Sequence, residues 1–213
     1  MVNREFQNPR RYILAFVIGT MVFILGFIIS YSFSYLEYQR ISNLQQQTSY
    51  DIFQDKLEYS LFNEEICNNN SFKQISEDLG FQGQIINDLE KKFGKEDQKV
   101  LFRKQFYTLT ELEHFEFVRT LNKKCKTNID TILFFYSNEK EDLERSENVG
   151  ALLDVVSRKN DNLMIYSFDI NLESDLIKIL RKRFGIEESP IIIINEKEKI
   201  TNPGNIEEVE KLL

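Results

Sequence analysis

The stretch FGIEESPIIIINEKEKI, from Phe184 to Ile200, decides how the last part of this chain is read. Gly185 follows an amphipathic run and is typical of a helix that ends in a left-handed residue. The step Ser189-Pro190 then precedes a run of isoleucines, which is typical of a buried strand, and the polar residues after that run indicate a tight turn. The stretch therefore predicts a helix end, a loop and an antiparallel hairpin.

The residues around this hairpin predict a mixed α/β domain that covers 127–213. Short aromatic and β-branched runs indicate strands, and apolar residues at helical spacing indicate helices between them. The predicted strands are 131–136, 162–170, 191–195 and 197–201, and the predicted helices are 142–158, 174–184 and a terminal helix capped by Asn205. The order is β-α-β, a helix, then β-β-α, so the first two strands are parallel and joined by a right-handed crossover.

That order, with a proline directly before the third strand, resembles the minimal thioredoxin fold. The resemblance covers residues 127–213 and lies in the order and spacing of the elements. It implies that the Ser189-Pro190 bond is cis and faces the start of the first helix. It also implies a groove beside Pro190 with an exposed backbone edge, where an extended peptide binds by strand addition.

The sequence departs from the redox-active members of that fold at the start of the first helix. Those members carry Cys-x-x-Cys there, whereas the corresponding stretch reads SNEKEDLERSENVG, and 127–213 contains no cysteine. Thiol-disulfide exchange requires a thiolate, and the hydroxyl of Ser146 cannot replace one. The acidic residues that occupy the stretch suit the positive end of a helix dipole; they are Glu139, Glu141, Asp142 and Glu144. We expect a redox-inactive domain that holds no cofactor and no metal.

A wider resemblance is carried by three segments: LTELEHFEFVRTLNKKC, TILFFYSN and MIYSFDINLESDL. With these segments the chain is similar to exported, membrane-anchored thioredoxin-like proteins of small-genome archaea, which have a helical region with cysteines ahead of the thioredoxin-like domain. In those proteins the loop after YSN holds a Cys-x-x-Cys, and this chain lacks it. The resemblance implies an exported protein, and the missing motif argues against an inherited oxidoreductase role.

The N-terminal part predicts a membrane anchor. No charged residue occurs from Tyr12 to Leu36, and 25 residues at about 1.5 Å each give roughly 37 Å of helix, enough to cross a ~30 Å hydrocarbon core. We therefore expect a transmembrane helix at 12–36 after an N-terminal segment at 1–11. A cleavable signal peptide is the alternative, because a basic segment precedes the apolar run. The run is longer than a signal peptide requires, and no small-x-small site follows it.

Basic residues around the span predict its orientation. Arg4, Arg10 and Arg11 precede the span, against Arg40 alone just after it. Because positive residues are retained on the cytoplasmic side, the N-terminus is predicted to be cytoplasmic and the remainder extracytoplasmic.

Residues 37–126 predict a helical region that contains both cysteines of the chain. Helices are predicted at 37–66, 71–93 and 96–124, so Cys67 and Cys125 follow the first and third helices. In an up-down-up arrangement these ends lie on the same side, and an oxidising compartment favours a disulfide between them.

A reactive Cys125 is the alternative to that structural disulfide. Lys123, Lys124 and Lys126 surround it, and cations lower a thiol pKa. The same lysines also complement the negative end of a helix dipole, so they do not require reactivity. If the pair is reactive, the function becomes a thiol-disulfide oxidoreductase or chaperone that uses Cys67 and Cys125.

Two further motifs lie in the helical region. Glu111-x-x-His114 resembles half of a di-iron motif, but the second half is impossible because His114 is the only histidine. We predict instead a solvated helix face with a polar pair. Asn69, in the sequence Asn69-Asn70-Ser71, matches a glycosylation acceptor in a predicted exposed turn.

The net charge of -7 argues against a nucleic-acid partner. The leading prediction is a single-pass membrane protein that displays a helical stalk and a redox-inactive thioredoxin-like domain. This domain acts as a binding or scaffolding module for a protein or peptide partner, without metal. Besides the oxidoreductase alternative, a structural subunit of a cell-envelope complex is the second alternative.

Reduction of the full chain tests the predicted disulfide. The intact mass is expected to rise by about 2 Da with reductant, because each sulfur gains a hydrogen. The Cys125→Ser variant is the control and shows no such rise. An unchanged mass of the wild-type chain would contradict the prediction.

Overall fold

The computed structural model describes residues 9–62 and 71–213, in a mixed α/β chain that divides into two compact units, Met1–Asn43 and Leu44–Leu213. The helices in the described part are α1 (Pro9–Phe62), α2 (Ser71–Phe93), α3 (Gln98–Cys125), α4 (Leu143–Lys159), α5 (Asp175–Phe184) and α6 (Ile206–Glu210). The strands are β1 (Asp130–Tyr136), β2 (Leu163–Asp169), β3 (Ile191–Ile194) and β4 (Glu198–Thr201). The predicted strands of the C-terminal region all occur, with ends within one residue of the prediction.

Helix α1 contains the apolar segment Pro9–Phe33, which is long and apolar enough to cross a membrane, with a mean hydropathy of 2.7. Its hydroxyl groups suit that setting, since Thr20 donates to the Phe16 carbonyl and Ser32 to the Ile28 carbonyl. The helix continues without a break to Phe62, so the helix predicted at 37–66 is the second part of α1.

The sheet has the strand order β2-β1-β3-β4. β1 and β2 are parallel with α4 between them in the chain, and β3 pairs antiparallel with both β1 and β4. Gly185 has a φ of 61° and ends α5, as the sequence predicts, because a left-handed residue without a Cβ carries no steric penalty there. The Asn205 side chain accepts from the Glu208 N–H and begins α6.

Both faces of the sheet are covered by helices. α4 and α6 cover one face, where Phe134, Ile192, Val149 and Val209 are buried together. On the other face α5 packs beside residues from α2 and α3. The buried residues of that core are Leu79, Phe115, Leu133, Phe135, Tyr166, Phe168, Leu172, Ile177, Leu180, Ile186, Ile191 and Ile193. Helices α2 and α3 therefore share a hydrophobic core with the sheet instead of forming a separate stalk.

The β3–β4 turn places a charged residue in a backbone conformation that glycine favours. Asn195 and Glu196 have φ values of 50° and 57°, as in two-residue hairpin turns. Glu196 bridges two helices, because Oε1 lies 2.6 Å from Nε of Arg119 in α3 and Oε2 lies 2.9 Å from Arg183 in α5. These ion pairs explain a glutamate at a position where left-handed backbone costs free energy.

Two substitutions at Glu196 separate its charge from its backbone. Glu196→Gln removes both ion pairs and keeps the left-handed strain, so the free energy of unfolding is expected to fall by about 1 kcal/mol. Glu196→Gly also removes the ion pairs but relieves the strain, and it is expected to be more stable than Glu196→Gln by about 1 kcal/mol. Urea unfolding followed by near-ultraviolet circular dichroism measures both. A Glu196→Gly variant less stable than Glu196→Gln would contradict this account.

Candidate functional site

The loop before β3 lies against the beginning of α4. The Ser189-Pro190 bond is cis, as the resemblance implies, and both residues are buried. The Ser189 hydroxyl donates to Oδ2 of Asp142, the residue before α4, at 3.1 Å. The Pro190 carbonyl accepts from the Asn202 N–H at 2.8 Å. These contacts bring the predicted groove residues and the position of the missing Cys-x-x-Cys together.

The backbone polar groups of Ser189 are unpaired within this loop. Ser189 is only 3 % exposed, yet its backbone N–H and C=O have no hydrogen-bond partner among the described residues. Buried backbone polar groups are almost always paired in folded proteins. Ser189 thus offers one donor and one acceptor to a further chain or to water.

Hydroxyl and carboxylate groups fill the region in front of α4. Asp142 pairs with Arg145, and the hydroxyl of buried Ser146 accepts from the Ser137 N–H at 3.1 Å. The Ser137 hydroxyl in turn accepts from the Glu139 N–H. These bonds fix the loop in front of α4, and the groups that make them have no thiol chemistry.

Only one of the predicted disulfide residues lies in the described part of the chain. Cys125 ends α3, is partly buried and is disulfide-bonded. Cys67 and Asn69 lie outside the described residues, so their pairing and modification stay predictions. Lys126 follows Cys125 in left-handed conformation, with a φ of 53°, and ends the helix.

The prediction that Glu111 and His114 form a solvated helix face is wrong. Glu111 is 1 % exposed and His114 is fully buried. Oε1 of Glu111 accepts from the backbone N–H of Ser167 in β2 at 2.8 Å. Nδ1 of His114 lies 2.8 Å from the Tyr166 hydroxyl, and Nε2 lies 3.1 Å from Oγ of Ser76. These polar side chains dock α3 along the outer edge of β2.

A signal for these contacts was present in the spacing of α3. Thr108 and Glu111 recur at three- and four-residue intervals with Phe115 and Val118, and all four are buried. Polar residues that continue an apolar stripe face the same neighbour as the stripe. The sequence reveals that they face inward, but it does not reveal that a strand edge is what they contact.

Burial dominates the ionisation of Glu111. It raises the pKa of this carboxyl well above its ordinary value, although the Ser167 N–H and the charge of Lys104 act in the opposite direction. Its second oxygen, Oε2, has no hydrogen-bond partner among the described residues. The neutral form is therefore the one that the folded state favours.

A buried cluster of charges lies nearer the N-terminal end of α3. Nζ of Lys104 is 2.6 Å from Oδ2 of Asp169 and 2.8 Å from Oε1 of Glu90. Burial alone lowers the pKa of Lys104, but the attraction of Tyr136, Asp169 and Glu90 outweighs it, so the pKa is raised. The lysine remains charged and ties α2, α3 and β2 together. Sequence reasoning missed this cluster because its members lie far apart in the chain.

The cluster borders a cleft of about 690 Å³ between α2 and α4. β2 and α3 form its floor, through residues such as Ile165, Ser167 and Tyr107. Ser189 and Pro190 are not among the described residues that line it. Within the described residues no group of three or more His, Cys, Asp or Glu side chains could hold a metal ion.

The raised pKa of Glu111 predicts how stability depends on pH. The folded state holds the proton at pH values where the unfolded chain has lost it, so stability falls as pH rises from the ordinary carboxyl pKa of about 4.3 through the raised pKa. The slope is at most about 1.4 kcal/mol per pH unit for one proton. Glu111→Gln keeps an acceptor for Ser167 and removes the titration, so its profile is expected to be flatter.

Urea unfolding at a series of pH values measures this difference. Asp161→Asn removes an exposed carboxyl and serves as the control, with the wild-type profile expected. Parallel profiles for wild type and Glu111→Gln would show that Glu111 ionises normally.

No protein-family model matches the chain, and comparisons with curated proteins and with solved structures find no match. What the chain does is therefore inferred from its own contacts.

Proposed function

We propose that this chain is a single-pass membrane protein whose extracytoplasmic part is a redox-inactive thioredoxin-like module that binds a protein or peptide. Pro9–Phe33 supplies a helix of suitable length and apolarity for the anchor. Arg4, Arg10 and Arg11 before the uncharged run that begins at Tyr12, against Arg40 after it, favour a cytoplasmic N-terminus.

Topology supports the thioredoxin-like assignment. The strand order β2-β1-β3-β4 combines a parallel pair on one side with an antiparallel hairpin on the other. α4 and α6 pack on one face and α5 on the opposite face. The cis Ser189-Pro190 bond precedes β3 and contacts the beginning of α4. This is the arrangement that the sequence resemblance implies.

The chemistry of the site supports binding without redox activity. The Ser189 loop contacts Asp142, which pairs with Arg145 at the start of α4, where the redox-active members of the fold carry thiols. A carboxylate that accepts from a serine hydroxyl holds the two segments together but transfers no electrons. The module keeps the loop that positions a client chain and lacks the groups that react with it.

The unpaired main chain of Ser189 is the observation that carries the binding proposal. A partner in extended conformation can accept from its N–H and donate to its C=O, as in strand addition. These groups are buried beside Pro190, so the cost of removing them from water is already incurred in the unbound protein. A partner that pairs with them therefore gains the hydrogen bonds without adding that cost. Side-chain chemistry around the groove then sets which partner is preferred.

Photo-crosslinking tests where the partner binds. A benzoylphenylalanine at position 188, next to Ser189, is expected to give specific adducts in cells. The same group at position 182, on the exposed side of α5, is the control and is expected to give none of these adducts. An identical adduct pattern at both positions would contradict the proposal.

A matched pair of substitutions tests the role of the backbone. Ser189→Ala removes only the hydroxyl, so the adducts at position 188 are expected to persist. Ser189→Pro removes the hydroxyl and the backbone N–H, and the adducts are expected to fall at least about tenfold, the usual effect of losing one buried hydrogen bond. Circular dichroism checks that both variants fold. Adducts of equal yield in folded Ser189→Pro would overturn the assignment of Ser189.

A further inference from the structure

The cleft between α2 and α4 is lined by residues that leave the space between the two helices unfilled. The side chains that face it from these helices are mostly small or polar; they include Gly80, Gly83, Asn87, Ser146, Gly150 and Asp154. A Cβ on Gly83 would lie 2.8 Å from the Tyr107 hydroxyl, so a larger residue there requires the Tyr107 side chain to shift. The cleft is thus lined by residues of the folded unit, and it does not include the Ser189 loop.

The dimensions of the cleft suit a small molecule or one long side chain. It extends from Gly80 to Glu90 along α2, a distance of roughly 15 Å at 1.5 Å per residue. Its volume of about 690 Å³ falls in the usual range for ligand sites. Ile86, Leu153 and Ile165 give it an apolar lining between its polar ends.

The charges at the Glu90 end leave one negative charge in excess. One ammonium, that of Lys104, is shared by the carboxylates of Asp169 and Glu90. Asp169 accepts from two further donors, the side chain of Asn138 and the backbone N–H of Asn171. Among the described residues Glu90 has no donor besides Lys104, although only 12 % of its side chain is exposed.

We propose that this cleft binds an alkylammonium group, with the carboxylate of Glu90 as its counter-ion and the apolar lining around its carbon chain. An added cation neutralises the excess charge and supplies the donor that Glu90 lacks.

Both lysines that line the cleft are already in ion pairs, whereas Arg158, which also lines it, has no ion pair among the described residues. The Lys104 ammonium is already held by two carboxylates and lies 5.2 Å from the ring centroid of Tyr136. Lys95, the other lysine that lines the cleft, forms an ion pair with Glu147 of α4 at 3.1 Å. Beside Glu90, a carboxylate or phosphate would therefore have to displace an existing ion pair.

Ligand-observed saturation-transfer NMR on the full chain in mild detergent tests the proposal. The probe is n-butylammonium, and butyrate and butan-1-ol are matched probes with the same carbon chain. Only butylammonium is expected to bind. Binding of butyrate as tight as that of butylammonium would overturn the proposal.

Variants locate the binding. Glu90→Gln leaves the Lys104–Asp169 pair intact and is expected to weaken butylammonium binding at least about tenfold, as for loss of a charge-assisted hydrogen bond. Asp88→Asn also removes a carboxylate from α2, at a position that is 79 % exposed and outside the cleft lining, and is expected to bind as the wild type does. Equal affinities of Glu90→Gln and wild type would overturn the assignment.

A third variant tests the space rather than the charge. A Cβ on Gly80 meets no atom within 4 Å, so Gly80→Leu is compatible with the helix and extends its side chain into the cleft. This variant is expected to lose binding while both carboxylates remain, and retained binding would contradict a site in this cleft. The peptide Gly-Leu-Lys-Leu-Gly, titrated in parallel, distinguishes a lysine side chain of a partner from a free amine: the tighter of the two identifies the source.

Discussion

The docking of α3 along the outer edge of β2 is the constraint on which the rest of the folded unit depends. An uncovered edge strand presents N–H and C=O groups that pair readily with other chains. Here Glu111 accepts from the Ser167 N–H, and His114 and Lys104 contact Tyr166 and Asp169 on the same strand. The same docking brings Phe115 into the core under the sheet. It makes the helical region part of the domain and closes one of the two outer edges of the sheet.

This closed edge defines where binding can occur. Strand addition at β2 competes with Glu111, whereas the main chain of Ser189 has no such competitor among the described residues. The second consequence is the cleft, because α3 holds α2 beside the sheet while small residues leave the space between α2 and α4 unfilled. The helix contacts of α3 therefore shape the cleft, whereas the Ser189 loop is held by Asp142 and Asn202.

The sequence predicted local structure well because local structure depends on local signals. The isoleucine run of β3, the left-handed Gly185 and the capping Asn205 each act within a few residues, and each is found as predicted. The absent cysteines of the C-terminal region were also evident from the sequence. The side chains that dock α3 were placed on the wrong side of the helix.

That error has a physical cause. A glutamate and a histidine on a helix suggest a solvated face, since their burial costs free energy unless a partner compensates it. The partners are the Ser167 N–H and the Tyr166 hydroxyl, more than 50 positions away in the chain. No local pattern specifies such a pairing. The Lys104 cluster and the cleft escaped prediction for the same reason, because both arise only when α2, α3, α4 and β2 meet.

Residue-resolved amide hydrogen exchange on the full chain tests the central claim most directly, which is that one backbone edge is closed and another is left open for a partner. Ser167 and Ser189 both lie in the folded unit, and Ser189 is only 3 % exposed. The account predicts slow exchange at Ser167, faster exchange there in Glu111→Ala, and fast exchange at Ser189 that slows when a partner binds. Equal protection of Ser167 and Ser189 in the free chain would contradict it, because the Ser189 N–H would then already be paired.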